Sequence, residues 1–257
     1  MNNTKLKVIF DNYISKFDII NDRPERGRGH DENYKWRLAA KFRSLMNPDS
    51  PDFIAGMKSV RKLSYNLIDS RWQYPLNALV RCAENDETAV RSLFRNLFAD
   101  DGGDLVVRQH KVDDFLAEAT ALTAKTYSGY RNLSRFRNDQ RSVMSYIFFN
   151  DPEHNYLYKP TQARVFAKCA DFEDGWGCGT SFKMDVYYRM CGELVEAIKN
   201  YPPLLEATKR RYSELPLKTG ECVHPDENYH ILAFDIIWGT GITGNADYNF
   251  GDGISYL

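Results

Sequence analysis

"ETAVRSLFRNLFAD", residues 87–100, places Val90, Leu93, Phe94, Leu97 and Phe98 at i, i+3, i+4, i+7 and i+8. At 3.6 residues per turn these side chains form one stripe, the mark of a helix with a buried face. Similar patterns flank it at about 75–84 and 104–124. "NPDSPDF" opens a helix before them, with Ser50 as cap and Pro51 in the first turn, carrying Phe53, Met57, Val60, Leu63 and Leu67. Further out, Val8, Ile9, Tyr13, Phe17 and Ile20 recur at helical spacing over 5–20. In "HDENYKWRLAAKFRSLM" a stripe runs through Tyr34, Leu38, Phe42, Leu45 and Met46. Towards the other end, helices are expected at 161–170, 183–200, 203–214 and in "DENYHILAFDIIW". "DQRSVMSYIFFNDP" reads either as helix or as buried strand, and "NYLYKP" (155–160) is the best short strand. The fold expected is mainly α, a multi-helix globular domain over 1–238 with at most a small β element.

The chain has 257 residues, of which 43% are hydrophobic and 27% charged, enough for a sizeable core. With 16 Tyr and 15 Phe, that core is expected to be built on rings. No apolar run approaches the roughly 20 residues that cross a bilayer. The opening residues lack a signal-peptide apolar core, so a cytoplasmic protein is expected. Cys82, Cys169, Cys178, Cys191 and Cys222 contain no C-x-x-C pair and read as free thiols. A zinc site from Cys178, Cys191, Cys222 and His224 lacks the close-spaced ligand pairs usual for structural zinc.

Gly239, Gly241 and Gly244 in "FDIIWGTGITGNADYN" match the G-x-G-x-x-G spacing of dinucleotide-binding turns. That motif needs a strand before it, a helix after it, and an acidic residue about 20 positions on. Only 13 residues follow Gly244 in a chain of 257, and Gly251 and Gly253 interrupt them. Residues 239–257 are therefore expected to be a Gly/Asn-rich tail or linker. There is no G-K-[ST], G-x-S-x-G or H-E-x-x-H motif. No Asp or Glu stands two residues before a Lys, as a carboxylate–lysine nuclease would require. The five histidines are scattered. His30, Asp31 and Glu32 resemble an acid–base or metal cluster but are better explained as a helix start, where acidic groups suit the dipole. No catalytic residue, metal ligand or cofactor is nominated.

The net charge is −1, yet unevenly spread. No Lys or Arg follows Lys218, whereas "KTYSGYRNLSRFRNDQR" interleaves Arg131, Arg135, Arg137 and Arg141 with Tyr127, Tyr130 and Phe136. Guanidinium forks grip phosphate and aromatic faces stack on bases, so this stretch is the candidate nucleic-acid contact. If helical, Arg131/Arg135 and Arg137/Arg141 make two i, i+4 patches. A solvated basic face that pairs with the acidic C-terminal third is the competing reading. Tyr156, Tyr158 and Lys159 add a possible phosphate contact; "KRRY" (209–212) is weaker.

"HDENYKWRLAAKF", "YNLIDSRWQYPLNALVR", "ETAVRSLFRNLFAD", "DQRSVMSYIFFNDPEHNYLYKP" and "YHILAFDIIW" occur in this order. Together, over about residues 5–238, they resemble the N-terminal module of McrB-type, AAA+ GTPase-linked bacterial restriction proteins. The resemblance implies a non-catalytic recognition module of a restriction or phage-defence system that contacts DNA. It implies no catalytic residues. Because the chain stops after this region without motor or nuclease, a fragment or stand-alone relative is expected. Two other readings stay open: a scaffold docking a AAA+ or nuclease partner, and a metal-dependent nuclease assembled from distant carboxylates and histidines.

Overall fold

Eleven α-helices make up the regular structure of a computed structural model that describes residues 1–21, 31–220 and 222–254, with backbone alone over 214–219. They are α1 (Asn3–Asn21), α2 (Tyr34–Leu45), α3 (Phe53–Leu63), α4 (Pro75–Asn85), α5 (Glu87–Phe98) and α6 (Leu105–Thr126). After these come α7 (Gln140–Asn150), α8 (Pro160–Cys169), α9 (Met184–Lys199), α10 (Pro202–Thr219) and α11 (His230–Thr240). The mainly α class is thus observed, and no strand occurs among the described residues.

Local chemistry explains most boundaries. Asp86 caps α5 by accepting from the Ala89 N–H at 3.1 Å, and Asp104 caps α6 through the Val106 N–H at 2.8 Å. The ambiguous 140–150 stretch is helix because Asp139 and Ser142 form a reciprocal capping box at its start. Residues Arg141–Phe149 are all buried, which erases the amphipathic signal that would have identified the helix. "NYLYKP" is not a strand. The Leu157 carbonyl accepts from the Tyr187 hydroxyl and Tyr158 accepts from Trp176 Nε1 at 3.1 Å, so side chains serve this segment. The cap of α3 is Asp52 rather than Ser50, whose hydroxyl instead accepts from the Asp52 N–H.

The contacts cluster into two compact units that interleave along the chain, where the sequence suggests one domain over 1–238. One comprises Leu38–Asn155 and Cys178–Met184. In it α3 packs on α4, α4 on α5 and α5 on α6, with α7 against α5 and α6. Phe94 is its hub, with ring centroids 5.3–5.8 Å from those of Phe53, Phe98, Phe115 and Tyr146. Gly56 on α3 meets α2 closely: a Cβ there would sit 1.8 Å from the Leu45 carbonyl oxygen. Alanine normally gains about 1 kcal/mol over glycine inside a helix. A backbone carbonyl cannot swing aside, however, and such overpacking costs ~1–3 kcal/mol or more. Gly56→Ala should therefore lower the urea unfolding midpoint, with a net loss of about 2 kcal/mol.

The other unit comprises Met1–Arg37, Tyr156–Gly177 and Asp185–Leu257. Here α11 packs on α8 and α1, and α1 on α10. The start of α11 is held by Asp226, whose carboxylate accepts from the N–H groups of Ile231 and Leu232 at 2.9 and 3.0 Å. The sequence suggests a tail from 239 onward. In the structure α11 runs to Thr240, and Tyr248, Phe250 and Ile254 are buried. The glycines permit this return. A Cβ on Gly239 would lie 1.9 Å from the Phe250 ring, and one on Gly241 would lie 2.4 Å from Gln162 Cα. A helix rather than a strand precedes Gly239, so the dinucleotide spacing has no phosphate-binding geometry behind it.

Four charged side chains meet inside this unit. Lys35 donates to both Glu32 and Asp235, and Arg211 lies 3.6 Å from Asp235. Tyr13 donates to Asp235 at 2.8 Å, Tyr248 donates to Glu32 at 2.5 Å, and Arg211 donates to Asn33 at 2.7 Å. The Arg211 guanidinium also lies 3.6 Å from the Trp36 ring centroid. Glu32 is thus an internal ion-pair partner rather than a helix-start charge, Asp31 pairs with Arg37 at 2.5 Å, and His30 lies outside the described residues.

Candidate nucleic-acid interface

The basic segment 125–141 is not one helix. After α6 ends at Thr126 the chain turns through Gly129 at φ 88°, makes a short 3-10 turn at Leu133–Phe136, and enters α7 at Gln140. The i, i+4 arginine patches expected from the sequence therefore do not form. A different grouping takes their place, built by two loops of one unit.

The first loop runs from Ser64 to Tyr74. Its tip is a tight turn in which the Ser70 hydroxyl accepts from the N–H groups of Trp72 and Gln73 at 3.2 and 3.0 Å. Asp69 anchors the loop by accepting from the Leu76 N–H at 2.9 Å and from Arg61 at 3.0 Å. Burial raises the Asp69 pKa, against the pull of those donors. The second loop, 127–139, is tied to the first through backbone. The Tyr74 N–H donates to the Arg135 carbonyl at 2.7 Å, and Arg135 donates to the Trp72 carbonyl at 3.3 Å and to the Tyr74 hydroxyl at 3.1 Å.

Rings fill the junction. Tyr127 and Phe136 stack at 4.1 Å with planes 17° apart, Tyr130 sits edge-on to both, and the Phe136 and Tyr74 centroids are 6.4 Å apart. Arg81 lies over Tyr127 at 5.7 Å, Arg71 over Trp72 at 5.2 Å, and Arg135 over Tyr74 at 5.1 Å. Trp72 is 67% exposed and Tyr130 50% exposed, among the few large apolar side chains left in solvent. Arg71, Arg81, Arg131 and Arg137 are exposed and Arg135 is half-buried. None of these arginines has a carboxylate partner among the described residues.

The sequence-derived candidates thus divide. Arg131, Arg135, Arg137, Tyr130 and Phe136 belong to this surface. Arg141 is buried beneath it, donating to the Leu67 and Ile68 carbonyls at 3.3 and 3.0 Å and to Gln73 at 3.2 Å, and so braces the first loop. Lys159 belongs to the other unit, buried with its ammonium 5.9 Å from the Trp238 ring. Sequence reasoning missed Arg71, Trp72, Tyr74 and Arg81. "SRWQYP" (70–75) carries the same arginine–aromatic interleaving and is the signal that marks them.

In the other polar concavities most charged groups are matched. In the same unit, a cavity of about 380 Å³ holds Arg108, Lys111 and His154. Arg108 grips Asp101 through two nitrogens at 2.7–2.8 Å, Lys111 donates to the Ala99 carbonyl, and His154 faces Asp151 at 3.0 Å. Arg108 holds the Asp101 carboxyl below its usual range. In the other unit, a groove of about 870 Å³ is floored by Leu6 and Phe10, where Lys7 pairs with Asp11 and Arg189 with Asp174. No group of three or more His, Cys, Asp or Glu side chains converges to hold a metal among the described residues. No protein-family model, curated protein or solved structure matches this chain.

Proposed function

We propose that this protein is a recognition module that contacts DNA through the Arg71–Trp72 loop and the 127–137 turn, without chemistry of its own. The observation that carries this reading is the set of arginines lacking carboxylate partners on two tied loops that also expose Trp72 and Tyr130. Such cations are drawn to a polyanion, whereas Arg108, Lys111, Lys7 and Arg189 in the two cavities already have partners. The sequence resemblance to restriction modules supplies the setting, a bacterial system directed at foreign DNA in which the module works beside a AAA+ or nuclease partner.

Fluorescence anisotropy with a labelled oligonucleotide across a salt series tests it. Each phosphate neutralised contributes about −0.7 to −0.9 to the slope of log K against log salt. Arg131 and Arg137 are exposed and brace nothing, so replacing both by Ala should flatten the slope by about 1.5 and leave thermal unfolding unchanged. Arg135 is a poorer probe, because it also holds the loops together. Binding that ignores both salt and these substitutions would reject the assignment.

A further inference from the structure

Resting on the reading above, we infer that the strand this surface takes is unpaired, with Trp72 and Tyr130 stacking on bases while the arginines hold the backbone. Trp72 projects at the tip of a four-residue turn, and Tyr130 meets Tyr127 and Phe136 edge-on at interplanar angles of 76° and 86°. The two side chains are 67% and 50% exposed, which leaves ring surface available to a base. A base stacks well on an exposed aromatic face, but in a duplex the base faces are already occupied by stacking. A single strand offers those faces freely.

The elements themselves point the same way. Duplex sequence is most often read by a helix or a β-ribbon laid in the major groove. Here Arg71, Trp72, Tyr130 and Arg131 all sit in loop or turn. The Arg71 guanidinium lies over the Trp72 ring at 5.2 Å, the combination that grips base and phosphate of one nucleotide, and the exposed Arg131 follows Tyr130 in the chain. The stacked Tyr127–Phe136 pair and the brace from Arg141 hold the platform ready.

Four probes of one length decide the matter: a DNA single strand, its blunt duplex, an abasic strand with the same phosphates, and poly-glutamate. The single strand should bind at least about tenfold tighter than the duplex or the abasic strand. It should also quench tryptophan emission, since Trp36 and Trp176 are buried and Trp72 is the most exposed tryptophan. Trp72→Ala should remove the quenching and about tenfold of affinity, Trp72→Phe should restore most of the affinity, and both should melt like wild type. Equal binding of duplex or abasic strand to that of the single strand would overturn this inference and leave the DNA reading standing. Salt-sensitive binding to none of the nucleic acids, or equal binding to poly-glutamate, would overturn both.

Discussion

Phe94→Ala should lower stability by about 3–5 kcal/mol, the cost of emptying a ring-sized site in a core that cannot fully collapse. Phe94 is fully buried and touches four other rings, one from each of α3 and α7 and two along α5 and α6. Its removal forfeits the transfer free energy of the side chain and also the edge-to-face contacts with Phe53, Phe115 and Tyr146, worth about 0.5–1.5 kcal/mol each in pairs of this kind. These rings are themselves fixed by helices that pack in sequence order, so relaxation into the void is limited. Urea denaturation monitored by circular dichroism would measure the loss. A shift under about 1 kcal/mol would mean that this hub does not organise the unit. Trp72→Ala is the contrasting control: the same chemistry deleted at an exposed position should change stability by no more than about 0.5 kcal/mol.

Lys35→Met should be comparably damaging for a different reason. Met fills much of the same volume but strands Glu32 and part of Asp235 as buried carboxylates without their ammonium. Breaking a buried pair from one side costs about 3–5 kcal/mol. That corresponds to a fall in Tm on the order of 10 °C for a chain of this size. Adding Glu32→Gln should recover part of the loss, because Asp235 keeps Arg211 and the remaining uncompensated charge is removed. The pH dependence has a definite sign. Burial alone would lower the Lys35 pKa, but Asp235 and Glu32 outweigh it and leave the group raised above its ordinary 10.5. A raised lysine stabilises the fold fully below that ordinary value, and the contribution disappears as pH climbs through the folded value. Wild type should therefore lose stability on the alkaline side. Tyr13 and Tyr248, also raised by burial, add to the same loss. Lys35→Met should thus reduce the alkaline step rather than abolish it, as pH-dependent melting would show. Glu32 is raised by burial too, so its own contribution is present below the ordinary carboxylate range and is lost as pH rises through its folded value.

The helices themselves are legible in the linear order of residues. The stripe from Val90 to Phe98, the Asp86 and Asp104 caps, and the prolines that open α4, α8 and α10 act within one or two turns, so they are visible in a linear string. The same locality made the buried α7 ambiguous, because a helix covered on every side has no periodicity to read. The remaining contacts come from packing between distant elements. Lys35 meets Asp235 across 200 positions, Arg135 meets Tyr74 across 61, and Gly239 makes room for Phe250. Packing also separated arginines that look alike in the string, leaving Arg131 and Arg137 in solvent and drawing Arg141 inside as a brace. Periodicity reports which face of an element is apolar. Which polar groups come together depends on how distant elements dock, and that information is carried by packing, not by spacing.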